Sequence, residues 1–224
     1  NCENYPTHEL GPIAMVLDIH RGNRFLTLRS VASKAAGMNE YLRQNRPDDE
    51  LVNARFRQGD VVTTLIECAG GQTIRLTLET TLPRHYSRQF TVHGTKGIYE
   101  EQTDSVFLDG DGDHTAWYKH WGNAKEYEEK YEHPLWREFL QDGVRGGHGG
   151  KDWLVCDHYI RCLKEHKPFC ISVYDMAAWM CVTALSEISI ARGGAPVDFP
   201  DFTGGRWLLP SPRPLDVQET RGVI

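Results

Sequence analysis

Val61-Val-Thr-Thr-Leu-Ile-Glu-Cys68, Ala69-Gly-Gly-Gln72 and Thr73-Ile-Arg-Leu-Thr-Leu-Glu-Thr80 follow one another without a gap. The outer runs are rich in β-branched residues and the four residues between them supply a glycine turn, so the stretch predicts a β-hairpin. In the second run Ile74, Leu76 and Leu78 alternate with Arg75, Thr77 and Glu79. Side chains on a strand point alternately to its two faces, so one face is buried and the other is wet or covered by a partner.

Outward from the hairpin, Phe25 to Val31 reads as a strand on the amino-terminal side. Phe90 to His93 and Ile98 to Glu101 form another strand pair around Gly94-Thr-Lys-Gly97, with Val106 to Leu108 a candidate extension. Leu10, Ile13, Ala14 and Leu17 recur at helical spacing within a short amphipathic helix over residues 7–19, and Pro12 weakens or kinks its start. A polar, partly helical excursion runs from Ala35 through the turn at residues 45–49. Residues 123–142 are helical and highly charged. A glycine-rich break at residues 143–150 then opens a helix from Lys151 to about Lys164. Ser172 and Asp175 read as a capping box before a helix marked by Met176, Met180, Ala184 and Ile188. Gly193, Gly194 and Pro196 end that helix. The pattern predicts one α/β (α+β) domain over residues 1–209, with a mainly antiparallel open sheet and helices on one face. Residues 210–224 read as a proline-rich extended arm.

The 224 residues carry 40% hydrophobic and 25% charged side chains and a net charge of −6. That balance is globular and does not suit nucleic acid, which wants a basic face. No apolar run reaches the ~18–20 residues that a membrane span requires. The six cysteines show no Cys-x-x-Cys pair and read as thiols rather than a disulfide framework. The first residues, Asn-Cys-Glu-Asn, lack an initiator methionine and a signal-peptide core, so residue 1 reads as a cut point within a longer chain. Bacterial cytoplasm and periplasm both remain open from this end.

No Gly-x-Gly-x-x-Gly joins a strand to a helix, so the chain alone is expected to bind no dinucleotide. Asp109-Gly-Asp-Gly-Asp113 fails the calcium-loop frame at His114 and His120 and reads as a solvated turn, leaving no metal site expected. Tyr5 and His8 stand three apart at a helix start, where an imidazole and a phenol can share one side and exchange protons with a sugar or carbonyl. The same placement also fits a surface histidine. Pro83-Arg-His-Tyr-Ser-Arg88 joins two strands and sets Tyr86 between Arg84 and Arg88, which on spacing alone reads as a polar β connection. His148-Gly-Gly-Lys-Asp152 enters a helix, and its backbone N–H groups suit an anion or a sugar hydroxyl, or only a tight turn.

Taken together, Tyr5-Pro-Thr-His8-x-Leu-Gly-Pro, the Tyr86-Ser-Arg88 element, Gly94-Thr-Lys-Gly97, His148-Gly-Gly-Lys-Asp152 and Ser189-Ile-Ala-Arg-Gly-Gly-Ala-Pro196 resemble the carboxy-terminal domain of the glucose–fructose oxidoreductase-like superfamily. Within it the order is most similar to the NAD-dependent α-N-acetylgalactosaminidases of glycoside hydrolase family 109. The resemblance implies a partner Rossmann domain holding NAD, absent from this chain, and a homodimer through the open sheet face. It implies hydrolysis of a sugar such as N-acetylgalactosamine by oxidation, elimination, hydration and re-reduction, outside the two-carboxylate scheme. His8 would transfer the proton, with Tyr5 and Tyr86 as relay or substrate phenols. Arg84, Arg88, His148 and Asp152 would bind substrate. Asn4 stands where related dehydrogenases often carry aspartate, which favours the glycosidase over a sugar dehydrogenase of the same fold. A non-catalytic carbohydrate-binding or assembly domain is the third reading. The chain alone is expected to be inactive.

Overall fold

The hairpin at residues 61–80 forms as its pattern predicts. Val61–Cys68 pairs antiparallel with Thr73–Glu79, and Val62, Thr64, Ile66 and Cys68 turn inward beside Ile74 and Leu76. The computed structural model describes residues 1–111 and 114–209. The arm expected from Pro210 lies outside the described residues, as do Gly112 and Asp113 of the aspartate-rich turn.

In chain order the elements begin with α1 (Thr7–Val16), β1 (Phe25–Ala32), α2 (Gly37–Asn45), β2 (Val61–Cys68) and β3 (Thr73–Glu79). Then come β4 (Thr91–Gly94), β5 (Gly97–Glu100), β6 (Ser105–Leu108), α3 (Lys125–Tyr131) and α4 (Pro134–Gln141). The chain continues with α5 (Lys151–Glu165), α6 (Val173–Ala191) and β7 (Val197–Asp198). These elements divide into two compact units, one made of Asn1–Arg84 with the chain from Cys170 onward, the other of His85–Phe169. The strands expected around Gly94–Gly97 do not join the hairpin's sheet. They make a sheet of their own, so the described residues hold two antiparallel sheets where the pattern suggested one.

In the first unit the strand order is β3-β2-β1-β7. The pairing of β1 with β2 slips by one residue between Phe25 and Thr27. A bulge of this kind shifts the phase of the alternation, which is why Phe25 and Leu28, three apart, both face the core. Helix α6 lies along β1 through Ala178, Val182, Leu185, Ser186 and Ser189. Burial of side chains such as Leu28, Ile66 and Val182 stabilises the unit by about 1.5–3 kcal/mol each.

Ser189 lets α6 approach β1 without orphaning the backbone. The Ser30 N–H, beyond the short β7 ladder, donates to Ser189 Oγ at 2.9 Å, and that hydroxyl donates to the Ala195 carbonyl at 2.7 Å. Ser172 and Asp175 form the predicted capping box at the start of α6. At its end Gly193, with φ +69°, and Gly194 donate back to Ile190 and Ser189, a Schellman closure. The apolar run Met176, Met180, Ala184 and Ile188 marks the helix but lies on its exposed side. The buried side carries Ala178, Trp179, Val182, Leu185, Ser186 and Ser189.

Helix α1 stops at Val16, three residues before the predicted end. Asp18 and His20 take positive φ, and the chain turns so that Ile19 enters the core. In the turn, Arg21 makes a two-pronged ion pair with Asp175 at 2.9 and 2.8 Å, tying it to the start of α6.

In the second unit β4-β5-β6 form a three-stranded sheet. The charged helical stretch breaks at His133-Pro134, where the imidazole of His133 accepts the Leu135 N–H and proline opens α4. Phe139 on α4 stacks on Trp136 and Trp153.

Candidate functional site

The first four residues are pinned from two sides, and this positions Tyr5 and His8. Gln58 accepts the Cys2 N–H at 3.1 Å and donates to the Cys2 carbonyl at 2.8 Å. The Glu3 N–H donates to Ser186 Oγ on α6 at 2.9 Å. Glu3 Oε1 in turn accepts the Tyr5 N–H at 3.2 Å. Buried Pro6 then leads into α1.

Within this frame the Tyr5 and His8 rings stack, centroids 4.7 Å apart, and Tyr5 Oη lies 3.4 Å from His8 Nε2. Both side chains are exposed, so the pair is open to a substrate. The spacing of three residues brings them to one side of the helix start, as the sequence predicts. Pro12 lies four residues after His8 and supplies no amide to the His8 carbonyl.

Glu3 escaped the sequence reading. It carries no periodic or motif signal, yet its carboxyl is almost wholly buried beneath the pair. Burial pushes this carboxyl above its ordinary value. The Tyr5 N–H opposes the rise and the Glu9 carboxylate adds to it.

Arg84 ends the first unit's run after β3, with Nε 3.6 Å from Glu79 Oε2. The other expected site residues belong to the second unit. Tyr86 stands 80% exposed, and its phenol oxygen accepts from Arg88 Nε at 3.3 Å. His148 Nδ1 sits 2.8 Å from Asp152 Oδ2 across one turn. His148, Gly149 and Gly150 all take positive φ, which explains the glycines of that break. Asp152 lies in the first turn of α5, so the chain itself supplies the negative charge that this helix start favours. The structure therefore forms three local groupings, Tyr5 with His8 in the first unit, and Tyr86 with Arg88 and His148 with Asp152 in the second.

Among the described residues no three His, Cys, Asp or Glu side chains gather as metal ligands. No helix among them is long and apolar enough to cross a membrane. Every strand pair in both sheets is antiparallel. No parallel βαβ crossover occurs among the described strands.

Residues 1–209 match the family model described as glycosyl hydrolase 109, C-terminal domain. A glycosyl hydrolase family 109 protein of Parabacteroides distasonis is 41% identical over 95% of this chain and 45% of its own length. An alpha-N-acetylgalactosaminidase of Tannerella forsythia is 39% identical over 95% of this chain and 45% of its own. One of Shewanella oneidensis, with the same name, is 37% identical over 92% and 46%. The chain thus spans about half the length of these relatives. With its antiparallel sheets, its helices and its match to that model over residues 1–209, the chain belongs to the glycosyl hydrolase 109 C-terminal domain family.

Proposed function

We propose that this chain is the substrate-binding, catalytic-residue-bearing part of an NAD-dependent glycosidase acting on N-acetylgalactosamine or a close relative. The Tyr5–His8 pair carries the reading: an exposed phenol and imidazole within proton-relay distance, held by a buried framework. Two relatives carry the name alpha-N-acetylgalactosaminidase, which supports the sugar. His8 takes up and returns a proton at the sugar ring, and the Tyr5 hydroxyl passes it on or holds a substrate oxygen. Tyr86 and Arg88 offer a phenol and a guanidinium to substrate hydroxyls.

NAD is assigned to the part of the relatives' length that this chain does not span, about half of each. The outward face of the four-stranded sheet, where Leu26, Val31 and Leu65 stand exposed, is assigned to a second copy of the chain.

The test is an assay of the whole protein that carries this chain on an aryl α-N-acetylgalactosaminide. Aryl alcohol is expected without accumulation of reduced NAD. Stoichiometric accumulation would instead mark a sugar dehydrogenase, and neither product would mark a binding domain. Calorimetry of the 224-residue chain with micromolar NAD is expected to show no heat of binding.

A further inference from the structure

One face of the three-stranded sheet is hollow. Ile98 and Glu100 on β5 lie opposite Phe107 and Ser105 on β6, and residues two apart on a strand share a face. With Thr103, His120 and Trp121 they line a cavity of about 280 Å³. None of these residues belongs to the groupings described above.

The lining combines an apolar floor with polar walls. Phe107 meets the His120 ring edge-on, centroids 4.8 Å apart. Glu100 Oε2 accepts from Thr103 Oγ1 at 2.7 Å. Its Oε1 and both ring nitrogens of His120 take no hydrogen bond among the described residues. Trp121 stands 59% exposed at the rim.

We propose that this cavity is a second carbohydrate subsite, taking one pyranose ring. A sugar presents an apolar C–H face and a girdle of hydroxyls. Trp121 and Phe107 offer aromatic surface to the first, while Glu100 Oε1 and His120 accept from and donate to the second. Other ligands fit worse. The lining holds no lysine or arginine, and Glu100 repels an anion. Two potential ligands, Glu100 and His120, are too few for a metal ion. A quaternary ammonium wants aromatic faces on several sides. At about 280 Å³ the cavity falls just below the usual range of ligand pockets, which run from about 300 Å³ upward, so it suits one ring and not an oligosaccharide.

The test follows the Trp121 indole N–H resonance, assigned by its loss in Trp121→Phe, as the 224-residue chain is titrated with N-acetylgalactosamine, galactose or glucose. A saturable shift is expected with at least one sugar. Glu100→Gln and His120→Ala are each expected to weaken it about tenfold or more, and His8→Ala to leave it unchanged. Two variants keep the test sound should one not fold. No shift with any of the three sugars overturns the proposal, and so does a shift only with tetramethylammonium. Abolition of the shift by His8→Ala would move binding to the Tyr5–His8 pair and overturn it too. Because His8 is outside the cavity, failure here leaves the glycosidase reading standing, and failure of that reading leaves the subsite.

Discussion

Tyr5 and His8 stack with their planes 25° from parallel, and the backbone N–H of the tyrosine is held by the buried carboxylate of Glu3. The framework beneath the pair thus reaches from the amino-terminal segment to α6 through Ser186. Under the proposed function, a pair held in this way meets its substrate already oriented, which lowers the cost of reaching the reactive geometry.

His8→Ala in the whole protein is expected to lower kcat/KM on an aryl glycoside by about 10²–10⁴-fold, the usual worth of a general acid–base group. Tyr5→Phe keeps the ring stack but loses the hydroxyl, and a smaller loss in kcat is expected. Steady-state kinetics on both variants, with circular dichroism as a folding control, checks this.

Glu3→Gln keeps an oxygen for the Tyr5 N–H and removes a carboxyl whose value burial has raised. The stability that a raised carboxyl contributes is full below its unfolded value and is lost as pH rises through its folded value. The variant is therefore expected to be as stable as the parent in acid and more stable at neutral pH. Urea unfolding at several pH values would show the two curves parting above the ordinary carboxylate range.

Acid is expected to destabilise the first unit in two stages. His20 is held below its ordinary value by burial, against the pull of Asp175 and of the Tyr174 carbonyl. Its Nε2 lies 3.1 Å from that carbonyl and its Nδ1 is buried without a hydrogen-bond partner, so a second proton has no acceptor. Burial alone would raise Asp175, yet Arg21 and Ser172 hold it below its ordinary value. Stability from both groups is complete above their unfolded values and lost as pH falls through their folded ones. His20 acts below about pH 6.5 and Asp175 below the carboxylate range. His20→Gln should flatten the upper stage. Asp175→Asn leaves the Arg21 charge buried and is expected to cost about 3–5 kcal/mol, measurable by chemical denaturation.

Gly150→Ala should destabilise the second unit. Gly150 has φ +90°, and an added Cβ would fall 2.2 Å from the ring of Phe139, itself confined between two tryptophans. A loss of about 2–3 kcal/mol is expected from backbone strain and overpacking together. Thermal unfolding followed by near-ultraviolet circular dichroism reads the aromatic cluster directly.

Val31→Glu and Leu65→Glu place charge on the outward sheet face, where both side chains are exposed in the single chain. Sedimentation velocity is expected to find a dimer for the parent chain and a monomer for the double variant. A monomeric parent would remove the second copy from the proposed function.

Much of the first unit was legible before any coordinates. Period two in residues 61–80, the Ser172–Asp175 cap and the Gly193-Gly194 stop are local signals, and local geometry alone sets hydrogen-bonded hairpins and helix ends. The Tyr5–His8 pairing was also local, because the two stand three residues apart, Tyr5 just before α1 and His8 in its first turn.

Tertiary structure decided what depends on distant partners. The apolar run of Met176, Met180, Ala184 and Ile188 announced a helix but not its buried side. That side went to Ala178, Trp179, Val182, Leu185, Ser186 and Ser189, where Ser189 also satisfies the free amide of Ser30 on β1. Glu3 gained its place from Ser186, far along the chain, and the hollow beside Trp121 came from three separate segments meeting on one sheet face. A periodic pattern can show that a surface will be buried. Only the packed chain settles which surface closes on it, since burial energy depends on shape and hydrogen-bond partners that sequence neighbours do not share.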